Sequence, residues 1–527
     1  MGSKDAEVMK EGIIMKKLMT LALAAAMMLG AATGANAIDF KAKGQWIMSF
    51  DYGMHGNFGE SKAKNNSGFK NEDEFEARSR VRLVIDAVAD ENLSGQIYFE
   101  IGKSIWGKAE DPQGGMAMGA DKNIVKLKRA FIDWRVPDTD LKLRMGIQGI
   151  GLPYMAMGGP TVFQSDVAAI TASYVFNENA AMTAFWARPY NDNYVGNADG
   201  DQKNFMDNMD MAGLMVPLTF DGVKLTPWGM FASIGSNTFR NDSSKNYAYV
   251  GNKINGVNGG YALSGLFPLR ADLLSHKEKL NAYGTAWWGG LSGEITKWDP
   301  FRIAWDFSYG NVTYDDGSLN RSGWLAGLLL EYNLDWTKLG LFGWYSSGDD
   351  DNVGNGSERL PTVSNDYGPC SFSGTFMGPD INGLERDRVI GNNLVGTWGV
   401  GFRLKDMSFL EDLKHTFHIS LLGGTNDPGI LKKYHERTGE WMAPNNPEGT
   451  TKVGRENLYL TTRDYALEFG LLNEYKIYDN LQVNLEASYI ALWLDKSDDV
   501  WGQSLTGGDH RDIRDAWNVS VLFIYSF

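Results

Sequence analysis

The 527-residue chain has a single cysteine, Cys370, which excludes an internal disulfide framework and leaves an incidental thiol in a polar loop. Prolines number only 15. After Ala37 no stretch approaches the ~20 apolar residues that a membrane-crossing helix requires. A formal charge of −15 argues against nucleic acid as a partner. Signs of catalysis are equally thin. The six histidines are scattered, and His415 and His418 stand three apart on an expected strand, which turns them to opposite faces. No spacing brings a serine–histidine or carboxylate–histidine pair together, and no phosphate-cradling glycine loop is present. The sequence therefore reads as a non-enzyme. The runs Asp349-Asp350-Asp351-Asn352 and Asn197-Ala198-Asp199-Gly200-Asp201 offer oxygen ligands suited to calcium, but neither follows the twelve-residue loop pattern with its terminal Glu. No cofactor is expected, with loop calcium as the alternative.

What the chain has in quantity is glycine (62) and aromatic residues: 17 Trp, 22 Tyr and 26 Phe. Its beginning carries an export pattern. Residues 1–14 read as an upstream extension and 15–37 as a signal peptide: Met15-Lys16-Lys17 is basic, Leu18 to Gly30 is apolar, and Ala35-Asn36-Ala37 is an A-x-A cleavage site. A membrane anchor over Leu18 to Ala35 is the competing reading. The residue directly after Ala37 is Ile38 and not a cysteine, which excludes a lipoprotein anchor. In an exported chain, glycine and aromatic enrichment suits barrel strands and interfacial aromatic girdles.

Beyond Ala37 the hydrophobicity alternates with period 2. Ala42, Trp46, Met48, Phe50 and Tyr52 share one face, opposite Lys41, Lys43, Gln45, Ser49 and Asp51. Residues 74–89 repeat the pattern, with Phe75, Ala77, Val81, Leu83 and Ile85 against Glu74, Glu76, Arg78, Arg80, Arg82 and Asp86. A barrel in lipid has this sense, apolar outside and polar inside; a soluble sheet with one solvated face is the alternative. Turn-like connections such as Asn177-Glu178-Asn179, Asp221-Gly222 and Tyr478-Asp479-Asn480 alternate with long polar ones such as 235–280, 348–394 and 425–462. That asymmetry predicts a transmembrane antiparallel β-barrel over residues 38–527, with about eighteen strands, or sixteen if one weak hairpin fails. One strand, expected at 124–136, breaks its own register at Arg129 and Asp133. Either a bulge flips the face or part of the strand meets a neighbouring subunit. The last segment, AWNVSVLFIYSF, sets Trp517, Val519, Val521, Phe523, Tyr525 and Phe527 on one face, while Leu522 and Ile524 interrupt the polarity of the other.

The terminal Phe527, with Tyr525 two residues before it, resembles the signal read by the barrel-assembly machinery of outer membranes. Together with the export signal, alternating strands and asymmetric loops, it resembles the trimeric general porins of Gram-negative bacteria. The stretch LKRAFIDWRVP…LRMGIQGIGLP (Leu127 to Pro153) is similar to the corresponding region of the outer-membrane homotrimeric porins of sulfate-reducing bacteria. The resemblance implies a homotrimer among outer-membrane lipids and lipopolysaccharide, passing small hydrophilic solutes. It also implies that the third loop, about 150–168 and carrying Tyr154 and Asp166, folds inward to constrict the pore. That loop is mostly apolar with Asp166 as its only acid, unlike the strongly acidic loop of many general porins. The second loop, 104–123, with Glu110 and Asp111, would latch onto the adjacent subunit.

The candidate site is an electropositive wall: Arg78, Arg80 and Arg82 on the inner face, joined by Lys142 and Arg144 and opposed by Asp166. Such positions tune barrel selectivity; balancing by Glu74, Glu76, Glu100 and Asp86 is the competing account. Trp287-Trp288 and Trp344-Tyr345 put an aromatic on each face, which leaves a carbohydrate path open. The function expected is passive diffusion through a weakly selective, anion-leaning porin. A channel specific for a sugar or oxyanion, or a secreted soluble β-protein, are the alternatives.

Overall fold

The structure, a computed structural model, describes residues 38–54, 74–107, 116–118, 125–191, 208–236, 264–269, 282–363, 394–439, 441–442, 459–503 and 515–527. The expected cleavage residues Ala35 and Ala37, together with Cys370, the run 197–201 and Glu110 and Asp111, lie outside them. The strands in chain order are β1 (Asp39–Met54), β2 (Glu74–Val88), β3 (Leu93–Ile105), β4 (Val125–Arg135), β5 (Leu141–Gly151), β6 (Gln164–Asn177) and β7 (Ala180–Asn191). β8 (Asn208–Met215), β9 (Leu218–Phe220), β10 (Val223–Ile234), β11 (Gly284–Ile295), β12 (Phe301–Thr313) and β13 (Arg321–Leu334) follow. β14 (Thr337–Ser346), β15 (Thr397–Leu410), β16 (Leu413–Gly424), β17 (Tyr465–Tyr478), β18 (Leu481–Trp493) and β19 (Ala516–Ser526) complete the set.

Each strand pairs antiparallel with its sequence neighbours, and β1 pairs with both β2 and β19, so the sheet closes on itself. β8 and β9 both lie between β7 and β10 and form one stave interrupted at Val216-Pro217, where proline has no N–H for the ladder. The result is a closed barrel of 18 strands. Closure gives every strand a neighbour on both sides, as hydrogen bonding inside lipid demands.

Alternation assigns the faces. Trp46, Tyr52, Trp134, Trp186, Phe231, Trp287, Phe307, Tyr345 and Phe523 are exposed on the outside. Aromatic pairs ring both ends of this belt, with Tyr52–Trp517 and Trp324–Tyr345 towards the long loops and Phe301–Tyr332 and Trp336–Phe409 beside the short turns. Inward positions are mostly polar on β1–β5, whereas those of β6–β13 mix polar residues with an apolar set, in which Ala169, Phe185, Met211, Trp228, Met230 and Leu329 form a core with residues of the inward loops. Trp288 and Trp344 belong to this core. Their indole N–H groups donate to the Pro361 carbonyl and the Thr397 hydroxyl, so the polar edge of each ring is taken up within the protein.

The register break in β4 is a bulge. Tyr98 pairs with Arg129 and Phe99 with Leu127, so Lys128 is the extra residue. Trp134, Ile132 and Leu127 consequently all reach the outer face. Two other expectations change. A helix, α1 (Gly429–Thr438), occupies the loop after β16, burying Ile430, Leu431 and Tyr434. β6 begins at Gln164, inside the expected third loop, because the ladder from Gly151–Gln164 onward pairs it with β5.

Candidate functional site

From β5 the chain crosses the interior, and the inward loop is 152–163, shorter than the expected 150–168 because the flanking residues belong to β5 and β6. Its anchorage is on the far wall. The Asp306 carboxylate on β12 accepts the backbone N–H groups of Met155, Ala156 and Met157 at 2.9, 2.8 and 2.9 Å. Ser292 on β11 donates to the Pro153 carbonyl at 3.0 Å, and Arg302 to that of Met155 at 2.9 Å. The hydroxyls of Thr161 and Ser308 hydrogen-bond, and the Val363 N–H donates to the Val162 carbonyl at 2.8 Å. Tyr154 sits between these anchors with its side chain exposed.

Beside the loop, the inward charges of β10–β15 are paired in a chain. Glu294 accepts from Lys224 and Arg302 (both 2.8 Å), and Glu331 from Arg302 (2.6 Å) and Arg403 (2.7 Å). Charge-assisted bonds of this kind fix side chains where partial burial weakens screening. Asp306, Arg302 and Glu331 escaped the sequence reading. Each occupies an inward position in an alternating strand, but no local pattern says that a loop from across the barrel will meet it.

The three arginines of β2 share one face. Arg82, Arg80 and Arg78 stand opposite Gln45, Ile47 and Ser49, all on the inner face. Arg78 is bonded to Glu76 (Nε at 2.7 Å) and Arg82 to Glu100 (2.9 Å), while Arg80 is buried at 2% exposure. Lys142 and Arg144 converge on Asp133 at 2.9 and 2.6 Å, with the Arg144 guanidinium 4.0 Å over the Phe131 ring. Balancing acids are thus in contact with most of these cations.

Asp166 departs from expectation. It lies on β6, not on the constricting loop, and is held by Arg129 (2.6 Å) and Lys128 (3.3 Å). It still shares a cavity with Arg82, next to the bulge of β4. Lys128 and Arg129 were visible in the sequence only as the place where the alternation failed.

Loops after β14, β16 and β18 pack into a cap around Leu431, Tyr434, Tyr459 and Trp501. Asp349 accepts from Ser357 (2.5 Å) and Tyr459 (2.8 Å), and Asp464 from Thr461 and Trp501, its other oxygen taking the Asp495 N–H at 2.8 Å. Burial pushes the Asp464 carboxyl above the ordinary carboxylate range, partly offset by those hydrogen bonds. In the run 349–352, Asp350 accepts from the Asn352 N–H at 2.7 Å and from the Asn355 amide at 3.2 Å.

No family model and no curated protein matches the chain. Solved barrels are similar in fold at low identity. OccK2 (OpdF) of Pseudomonas aeruginosa is 11% identical, with 93% of this chain and 98% of that chain covered and a TM-score of 0.49. OccAB3 of Acinetobacter baumannii is 10% identical, with coverage of 92% and 99% and a TM-score of 0.49. OpdK of Pseudomonas aeruginosa, solved with vanillate, is 9% identical, with coverage of 92% and 98% and a TM-score of 0.47.

Proposed function

We propose that this protein is an outer-membrane porin, a water-filled channel for passive diffusion of small hydrophilic solutes that leans weakly towards anions. The observation that carries the reading is a closed 18-strand barrel with an apolar aromatic belt outside and charged side chains inside, crossed by a loop anchored on the opposite wall. The belt supports residence in lipid, and the narrowing loop supports selective passage. A soluble β-protein would bury such a belt.

The lean towards anions follows from the inner face of β1–β5. Lys41, Lys43, Arg78, Arg80, Arg82, Lys126, Arg129, Lys142 and Arg144 outnumber Asp39, Asp51, Glu76, Asp86, Glu100 and Asp133 there, although the whole chain is net −15. In watery dielectric each uncompensated cation contributes only about 0.6 kcal/mol to an anion ~7 Å away. That is comparable to thermal energy, so the wall biases traffic without making a tight site. Charges beyond roughly 10 Å are screened at 0.1 M salt, which limits the influence of acidic outer loops.

The test is the reversal potential of single channels in planar bilayers under a KCl gradient. The Arg78→Ala, Arg80→Ala, Arg82→Ala triple variant moves it towards cation preference. An unchanged potential would show that these arginines serve only to balance the wall. Absence of any conductance in the wild-type protein overturns the porin reading itself.

Assembly as a homotrimer with lipopolysaccharide around it, and delivery by the barrel-assembly machinery, belong to the same proposal. The broad apolar outer faces of the early strands, with Val125, Leu127, Ile132 and Trp134 all exposed, support a protein-covered side.

A further inference from the structure

The wall is split between β4 and β5. Their ladder runs from Arg135–Lys142 only as far as Ala130–Ile147. Beyond that pair β4 stays with β3 up to Val125, whereas β5 stays with β6 up to Gly151, where the chain turns into the inward loop. Two strands that part company in this way leave a crevice, and a cavity of about 340 Å³ lies in it.

Arg82, Lys128 and Arg129 line it together with Asp166, and Glu100 holds Arg82 from its edge at 2.9 Å, so three cations meet two acids. Asp166 engages the Nε of Arg129 at 2.6 Å, and the Nη2 of that guanidinium lies over the bare backbone of Gly149. A Cβ at Gly149 would come within 2.7 Å of that nitrogen, so the glycine makes the room that Arg129 uses. The Arg82 and Arg129 guanidinium groups both lie over the Tyr98 ring, 5.9 and 5.4 Å from its centroid, so one aromatic side chain is a shared platform for the two. Planar forks of N–H donors held this way match oxyanions.

We propose that the crevice is a binding site for a small hydrophilic oxyanion, a dicarboxylate or an inorganic oxyanion, set in the wall beside the pore. The volume stands near the lower end of ligand pockets, about 300–1,000 Å³, and suits a compact ligand. Surplus positive charge excludes a metal cation, and the scarcity of apolar lining disfavours a greasy one. The proposal deepens the porin reading and depends on it only for the route by which the anion arrives.

The experiment is calorimetric titration of the purified, detergent-solubilised barrel at low ionic strength with three probes: succinate, inorganic phosphate and the neutral succinamide. Wild-type protein binds at least one of the two anions and not the amide, and which anion binds identifies the class. Arg129→Gln weakens that binding at least tenfold. Gly149→Val keeps every charge but fills the crevice, and weakens binding too, so the result does not hang on a single charge change. Binding of neither anion, equal binding of the amide, or wild-type affinity in both variants overturns the site. Wild-type conductance in KCl reports the pore reading separately: a conducting barrel that binds no anion refutes the crevice alone.

Discussion

The Asp306 carboxylate accepts the backbone N–H of Met157 at 2.9 Å, across 149 residues of chain. One residue on β12 thus holds the tip of a loop that departs from β5, and the same carboxylate takes the N–H groups of Met155 and Ala156. The inward loop is a strap fastened at both walls.

Asp306→Ala should release that strap. Three N–H groups lose their acceptor, and a buried donor left unsatisfied costs about 1–3 kcal/mol. The expected outcome is a barrel that still assembles, with noisier and larger single-channel currents and faster protease cleavage within 152–163. A current trace indistinguishable from wild type would mean that Ser292, Arg302 and Thr161 hold the loop without it.

Removing Phe527 should impair assembly. Its backbone exchanges hydrogen bonds with Gly44 at 2.7 and 3.0 Å, and its ring stacks on Tyr525 at 5.7 Å, so it completes the seam between β19 and β1. Each lost bond is worth about 1 kcal/mol, and the residue also carries the proposed assembly signal. Outer-membrane fractionation with a heat-modifiability gel measures this. Normal levels of folded barrel in the truncated protein would refute the role.

The protein should run as a trimer in mild detergent. Native mass spectrometry that finds only monomer, with the barrel still folded, rejects the oligomeric part of the proposal.

The cap should loosen as pH rises. Asp464 has a carboxyl whose folded pKa is raised by burial, so the folded cap holds that proton more tightly than the unfolded chain does. Its contribution is fully present below about pH 4, the ordinary Asp value, and is lost as pH climbs through the raised folded value. Hydrogen exchange of residues 459–464 should show this slope in wild type, and Asp464→Asn should be less protected throughout but flat. An identical slope in the variant assigns the effect to another group.

Much of the barrel was legible in the sequence because period-2 alternation and asymmetric connections are local. Lys41 to Tyr52 and Arg78 to Arg82 took the faces their spacing dictated. Partners in space were less legible. The acids beside the arginines were named as possible counterweights, but which of them make contact depends on register: Glu100 meets Arg82 because β2 and β3 pair residue for residue there. The porin resemblance puts Asp166 on the constricting loop, whereas strand pairing with β5 claims residues from Gln164 onward. The break at Arg129 leaves a bulge and a subunit contact as alternatives in the sequence, since an extra residue such as Lys128 can be identified only against the neighbouring strand.

The pairing of β1 with β19 has a consequence for how the molecule must be made. Trp46 lies beside Tyr525, so the contacts that complete the ring are the most distant in the sequence. Any shorter, partly paired sheet has two raw borders of N–H and C=O groups, a template for pairing with other chains. Contacts of such long sequence separation form slowly. A growing chain of this topology therefore stays adhesive until its last stave is in place, and an escort that shields its borders is a requirement of the architecture and not an accessory to it.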